Sequence, residues 1–149
     1  MIRLVPITED NWLEAASLRL SEEQQRFLDR PVGILARAYV YRSQNARVFG
    51  FDSGGALVGL ALVRDLDEEP ACYDLQQFMV DVRFQGRGFG TEAVSAMLRH
   101  GFDRLGLKRI VLRVDPGNAR AIRVYEKCGF REYGRTDEDL CMEIFKRGD

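Results

Sequence analysis

The sequence predicts an α+β fold: a mixed sheet with short helices in its amino-terminal half, followed by alternating strand and helix. Three observations carry this. Two apolar runs, residues 48–51 and 56–63, flank the glycine-containing cluster Asp52-Ser53-Gly54-Gly55 as a hairpin. Residues 72–98 pass from strand composition through a glycine-dense turn into a helix-favouring segment. The β-branched run 109–114 is followed by an amphipathic segment that opens on Asn118 and closes on Gly129. At 149 residues the chain suits a single domain, 1–149, with one substantial core.

Each element follows from local chemistry. Residues 2–5 read as a first strand, and Thr8 before Glu9, Asp10 and Asn11 as a helix cap, with Trp12, Ala15, Ala16 and Leu18 on the apolar face. Ser21-Glu22-Glu23-Gln24 is a capping-box start for a helix that runs through Phe27 and Leu28 to the break at Arg30-Pro31. A short helix over residues 34–41 follows, then the hairpin, and then a charged, proline-ended loop over residues 65–70. Residues 72–80 form the fourth strand. Residues 91–105 place Ala93, Val94, Met97, Leu98, Phe102 and Leu105 at helical spacing until Gly106 stops them. After the 109–114 strand and the helix capped by Asn118, residues 130–133 and 140–145 close the pattern as two strands.

Composition narrows the function classes. With 46% hydrophobic and 30% charged residues the chain is an ordinary soluble globular sequence, which excludes a disordered class. A formal charge of −1 supplies no basic field for a phosphate backbone, so no nucleic-acid partner is expected. Cys72, Cys128 and Cys141 are widely spaced without CxxC pairing, and His100 is the one histidine, so no metal site is expected. The opening residues 1–6 carry neither a signal-type apolar run nor a membrane span, and the expected location is the cytoplasm.

The chemistry concentrates at Gln85-Gly86-Arg87-Gly88-Phe89-Gly90-Thr91. Glycines let the backbone approach a ligand, and the first-turn amides of the following helix have no intrahelical acceptor, so the segment suits a pyrophosphate. A dinucleotide fingerprint fails because the third glycine falls at 90, one position early, with Thr91 in its place. A P-loop fails because no Gly-Lys-Ser or Gly-Lys-Thr follows. Taken alone, the segment reads equally well as a tight structural turn.

A second motif changes that balance. Gln85-Gly86-Arg87-Gly88-Phe89-Gly90 resembles the Q/R-x-x-G-x-G/A signature of the GNAT N-acetyltransferases, and Asn118-x-x-Ala121-x-x-x-Tyr125-x-x-x-Gly129-Phe130 resembles their second motif, in matching element order along the chain. Residues 23–28, 38–41 and 78–81 are similar to the bacterial spermine/spermidine acetyltransferases. The resemblance implies a GNAT-type, mostly antiparallel central sheet flanked by helices and a single N-acetyltransferase domain. It also implies transfer of an acetyl group from acetyl-CoA to a primary amine by direct attack, with a polyamine as the small-molecule acceptor. A protein N-terminal or lysine acetyltransferase, or a CoA-binding regulatory module without catalysis, are the competing readings.

The resemblance also assigns residues. Phe78, Met79 and Val80 map to the strand edge that takes the pantetheine arm; Gln85, Gly86, Arg87, Gly88, Phe89, Gly90 and Thr91 map to the pyrophosphate loop; Asn118 and Ala121 are further cofactor contacts. Tyr125 maps to the general acid that protonates the departing sulfur. By side-chain type alone it reads as an amphipathic residue packed under Phe130, and the motif spacing reverses that. Many relatives place a glutamate two residues before the position of Phe78, where this chain has Gln76, which cannot take a proton. Strand alternation puts Asp74 on the face of Gln76 and Phe78, so Asp74, through water, is the candidate substitute base, with an ordinary solvated carboxylate at the strand start as the competing reading.

A polyamine's distal ammonium needs carboxylates. Glu22, Glu23 and Asp29 are the favoured candidates; Asp65, Asp67, Glu68, Glu69 and Asp137-Glu138-Asp139 are further candidates, although charge runs of this kind are usually solvated surface. Trp12, Tyr39 and Tyr41 could flank an amine or simply pack. His100 reads as facing solvent or packing and Cys128 as small apolar filler, and pairing through exposed strand edges would give a homodimer.

Overall fold

Residues 57–63 are all buried, and the sheet is organised around them. Val58, Ala61 and Val63 pack into a large core on one face, while Leu57, Leu60 and Leu62 pack into a smaller core on the other. A strand covered on both faces must sit inside the sheet, since each fully buried aliphatic side chain contributes about 1.5–3 kcal/mol. The computed structural model describes residues 1–66 and 71–147. Its strands are β1 (Arg3–Pro6), β2 (Arg47–Ser53), β3 (Ala56–Leu66), β4 (Cys72–Val80), β5 (Arg109–Val114), β6 (Arg131–Arg135) and β7 (Leu140–Phe145). They form one sheet in the order β1-β2-β3-β4-β5-β7-β6, antiparallel at every junction except β4 with β5.

Helices cover both faces. On the larger core lie α4 (Phe89–Arg99) and α5 (Ala119–Lys127), through Ala93, Val94 and Tyr125. On the smaller core lie α1 (Trp12–Ala16) and α3 (Pro31–Val40), through Ala15 and Ile34, with the short α2 (Glu22–Gln25) between them. The expected capping box is present, with the Ser21 side chain accepting from Gln24 N and the Gln24 side chain accepting from Ser21 N. Pro31 begins α3 at its first turn, where a missing N–H costs nothing.

Several expectations need correction. Asn11, not Thr8, occupies the cap position of α1; Thr8 belongs to the preceding turn, donating its N–H to Asn11 Oδ1 at 2.7 Å. Trp12 is 47% exposed, so this short helix is anchored by Ala15 and, just beyond it, Leu18. The second helix ends at Gln25, leaving Phe27 and Leu28 in turns. Helix α4 starts at Phe89 rather than Thr91 and widens into a π-helical turn over His100–Arg104 before Gly106. Tyr39 is 66% exposed and Tyr41 40%, and the Arg42 guanidinium lies over the Tyr39 ring at 4.0 Å. His100 packs edge-on against Phe49 at 5.3 Å, and burial together with Arg104 holds its pKa below the usual value.

The end of β4 is held by a buried carboxylate. Asp81 is 1% exposed and accepts from Arg19 N at 2.8 Å, Arg83 N at 2.8 Å and Arg83 Nε at 2.9 Å. Burial alone would raise its pKa, but the hydrogen bonds and charge of Arg83 and the Arg19 amide outweigh it and hold the carboxyl below the usual range. The segment after α1 is thereby tied to the sheet, reinforced by Val82 N donating to Arg19 O at 2.8 Å.

A depressed carboxyl pKa stabilises the fold above the unfolded-state value, about 3.9, and that contribution fades as pH falls through the folded value. Asp81→Asn should therefore cost roughly 1–3 kcal/mol at neutral pH, since an amide cannot accept all of these bonds. Urea midpoints for the two proteins should converge below about pH 4; equal midpoints at pH 7 would contradict this role.

Candidate active site

The site begins where two strands part. Parallel pairing of β4 with β5 runs from Cys72↔Arg109 to Leu75↔Leu112 and ends there. Beyond that point β5 continues with β7 alone, and residues 77–80 of β4 pair with β3 alone. The register with β3 skips Gln76, passing from Leu62↔Gln77 to Val63↔Leu75, so a bulge sits at the point of separation. Asp81 N donates to Val58 O, which fixes the alternation and turns the N–H groups of Phe78 and Val80 away from β3 and toward the gap. An unpaired strand edge inside a sheet can take an extended, amide-bearing ligand as an added strand.

The glycine turn opens onto the same gap. Gly86 and Gly88 have φ of +81° and +82°, which side chains rarely adopt, and Gly88 caps α4. The hydrogen bonds of α4 begin with Glu92 N donating to Gly88 O, so the amides of Phe89, Gly90 and Thr91 have no intrahelical acceptor. A cleft of about 260 Å³ runs along this surface. The expected residues Phe78, Met79, Val80, Gln85, Gly86, Gly88, Phe89, Gly90, Thr91, Asn118 and Ala121 all line it. The fit to a coenzyme A phosphate group is direct: free amides, a helix N-terminus and nearby cations.

Three assignments change in detail. Arg87 is not in the cleft wall; its guanidinium lies 5.8 Å from the Phe84 ring centroid. The Gln85 side chain is a latch: its Nε2 donates to Val80 O at 2.8 Å and to Gln24 Oε1 at 3.0 Å, while its Oε1 accepts from Gln24 and Arg120. Asn118 Oδ1 accepts from Ala121 N at 3.4 Å and so caps α5. Sequence reasoning missed Leu20, Gln24, Phe27 and Leu28 on the opposite wall, and Arg120, Arg123 and Lys127 on α5. The spacing of those three cations, three then four residues, marks a common helix face and was the available signal.

Tyr125 is 6% exposed between Phe78, at 5.9 Å between ring centroids, and Phe130, at 5.7 Å. Burial pushes its hydroxyl pKa upward, so the phenol is neutral at physiological pH. Its ring packs against the side chain of Phe78, which lines the cleft, while Tyr125 itself lies behind that wall in the larger core.

Asp74 is not on the face of Phe78. The bulge at Gln76 shifts the alternation, so that Leu75 and Phe78 face the larger core while Asp74 and Gln76 share the opposite face, with Gln76 Nε2 donating to Asp74 Oδ2 at 3.4 Å. Asp74 is also ion-paired with Arg64 at 3.2 Å. Both line a second basin of about 460 Å³ with Arg37, Arg109, Arg113 and Tyr133. Asp29 pairs with Arg37 at 2.9 Å and donates its N–H to Gln77 Oε1 at 3.1 Å. Glu22 and Glu23 are exposed in the first turn of α2, outside the cleft wall. Asp65 accepts from Asn45 at 2.7 Å, and 137–139 lies in the β6–β7 turn, whereas Asp67, Glu68 and Glu69 fall outside the described residues. Cys128 is half-buried beside Ser95 Oγ at 3.8 Å. Among the described residues no helix is long and apolar enough to cross a membrane.

Comparison with known proteins agrees with this geometry. The chain is 29% identical over 139 residues to the spermine/spermidine N(1)-acetyltransferase of Bacillus subtilis, covering 91% of each. It superposes on the spermidine N-acetyltransferase of Vibrio cholerae, crystallised with CoA and spermine, with TM-score 0.77 and 21% identity over 97% of this chain and 95% of that one. An aminoglycoside acetyltransferase in complex with coenzyme A gives TM-score 0.80 at 20% identity over 98% and 95%. At these identities the two structures establish the fold. The model of the acetyltransferase (GNAT) family matches residues 6–130, and with its cleft and sheet order the chain belongs to that family as an acetyl-CoA-dependent N-acetyltransferase.

Proposed function

We propose that the protein transfers the acetyl group of acetyl-CoA to a primary amine of a polyamine such as spermidine or spermine. This reading is carried by the meeting, along one cleft, of the unpaired β4 edge and the free amides at the start of α4, with the buried Tyr125 packed directly behind the cleft-lining Phe78. The polyamine preference is supported by the Bacillus subtilis relative, whose similarity extends over nearly the whole chain. The supporting context for a small-molecule acceptor in the cytoplasm is a near-neutral net charge and the absence, among the described residues, of a helix able to cross a membrane. The sheet edges β1 and β6 would be the places for two copies to pair.

Acetyl-CoA supplies an activated thioester. In this reading the amides of Phe89, Gly90 and Thr91 bind its pyrophosphate, with Arg120, Arg123 and Lys127 adding charge from α5. The Phe78 and Val80 N–H groups hold the pantetheine arm, and the donor nearest the carbonyl stabilises the negative charge that develops on its oxygen. Tyr125 donates its proton to the leaving sulfur. Its raised pKa does not forbid this, because the same dry surroundings disfavour a thiolate as well. Glu22 and Glu23, which form no ion pair among the described residues, attract the distal ammonium groups of the acceptor from the rim.

Tyr125→Phe should lower kcat on the order of 10²-fold with CoA affinity preserved, measured by thiol release with spermidine; wild-type turnover in the variant would remove the acid assignment. Gly88→Ala has room for its methyl but not a favourable backbone, so CoA should bind more weakly by isothermal titration while the fold survives a penalty of about 1–2 kcal/mol. Replacing Glu22 and Glu23 by Gln should raise KM for spermidine a few-fold at low salt, in keeping with roughly 0.2–1 kcal/mol per exposed charge pair, and leave a monoamine unaffected. A panel of spermine, spermidine, aminoglycosides and peptides separates the acceptor classes, and tight CoA binding without amine-dependent thiol release would favour a regulatory module.

A further inference from the structure

Gln76 is the residue at which β4 leaves β5, and its side chain carries an unmet need. Its Nε2 donates to Asp74 Oδ2, which fixes the direction of the amide. Its Oε1 is shielded from bulk water and has no hydrogen-bond partner among the described residues. A buried acceptor left unpaired is costly, so its position at the mouth of the β4–β5 gap calls for an incoming N–H donor.

The surrounding basin determines which kind of donor fits. From β3 comes Arg64, from α3 Arg37, from β5 Arg109 and Arg113, from β6 Tyr133, and from β4 itself Asp74. The carboxylates around it are already neutralised: Asp74 by Arg64 at 3.2 Å, Asp29 by Arg37 at 2.9 Å, and Glu143 of β7 by Arg109 at 2.8 Å. Among the described residues four arginines surround these three carboxylates. Each of the three is ion-paired and so is no ready proton acceptor, and the basin opposes an ammonium by desolvation.

We propose that Gln76 Oε1 receives an N–H of the acceptor amine in its neutral form, and that this basin selects the free base rather than deprotonating an ammonium. This rests on the amine-acetylating function proposed above. The amine keeps its lone pair for the acetyl carbon while one N–H is held by Gln76. The new C–N bond forms as the C–S bond breaks, the sulfur takes the Tyr125 proton, and the proton released by the acylated nitrogen leaves to solvent, from which Tyr125 is restored. The cationic remainder of a polyamine stays outside the basin, toward Glu22 and Glu23.

The test is the pH dependence of kcat/KM for primary amines of different pKa. Wild type should show a rising limb of unit slope that moves with the pKa of each free amine, up to about 10 for an alkylamine. Gln76→Leu should raise KM for the amine roughly ten-fold with KM for acetyl-CoA and the thermal midpoint little changed. Gln76→Glu keeps an acceptor and adds a base, so its limb should fall to lower pH and become independent of the amine. A wild-type limb fixed at one pH for every amine would overturn the proposal, as would a Gln76→Leu defect confined to acetyl-CoA. If Gln76→Leu does not fold, the wild-type amine series and Gln76→Glu still decide. Turnover with other primary amines but none with spermidine or spermine would retire the polyamine assignment alone, and the same profile would be read with the active amine. No turnover with any amine would overturn both readings.

Discussion

The separation of β4 from β5 after Leu75↔Leu112 is the constraint on which the rest of the structure depends. A sheet ordinarily satisfies its backbone donors strand to strand, and a gap within it leaves groups that a ligand must meet. Here the gap is built in from both sides. Residues 77–80 remain committed to β3, and Arg113 and Val114 remain committed to β7, so neither strand can swing across to close it. The bulge at Gln76 then decides what each face of the gap receives. It delivers Phe78 to the aromatic cluster of Phe51, Tyr125 and Phe130, and leaves Asp74 and Gln76 facing the arginine-lined basin.

Two polar devices hold the cleft walls around that gap. Asp81 ties the chain after α1 to the end of β4, and the Gln85 latch ties α2, the Val80 carbonyl and Arg120 at the start of α5 to one another. Both are made of residues whose side chains are consumed internally. In the proposed function, ligand recognition in the glycine turn would therefore fall to backbone amides, which cost no side-chain entropy to order. The positive charges of α5 that line the cleft would supply the long-range attraction that those amides lack.

Most of the fold was legible because its signals are local. The Gly54-Gly55 hairpin, the Ser21 capping box, the strand at Cys72–Val80 and the helix opened by Asn118 and closed before Gly129 each follow from residues within a few positions of one another. The coenzyme-facing wall was legible for the same reason, since its two motifs each occupy a single turn and helix. What failed was non-local. The face of Asp74 depends on a bulge set by pairing with β3, and nothing in the residues 72–80 announces that one of them is skipped. Gln85 reads as a ligand contact until Gln24, distant in sequence, is seen to occupy its amide. Leu20, Phe27 and Leu28 enter the cleft because the chain after α1 is tied to the end of β4 through Asp81 and to the glycine turn through Gln24 and Gln85.

Amide hydrogen exchange tests residue by residue whether coenzyme A enters the gap as an added strand with its phosphates on the α4 amides. Saturating the protein with CoA should slow exchange at Phe78 and Val80 together with Phe89, Gly90 and Thr91, and leave Met79, whose backbone is committed to β3, unchanged. Protection confined to the α4 start, with Phe78 and Val80 exchanging as in the free protein, would contradict the account.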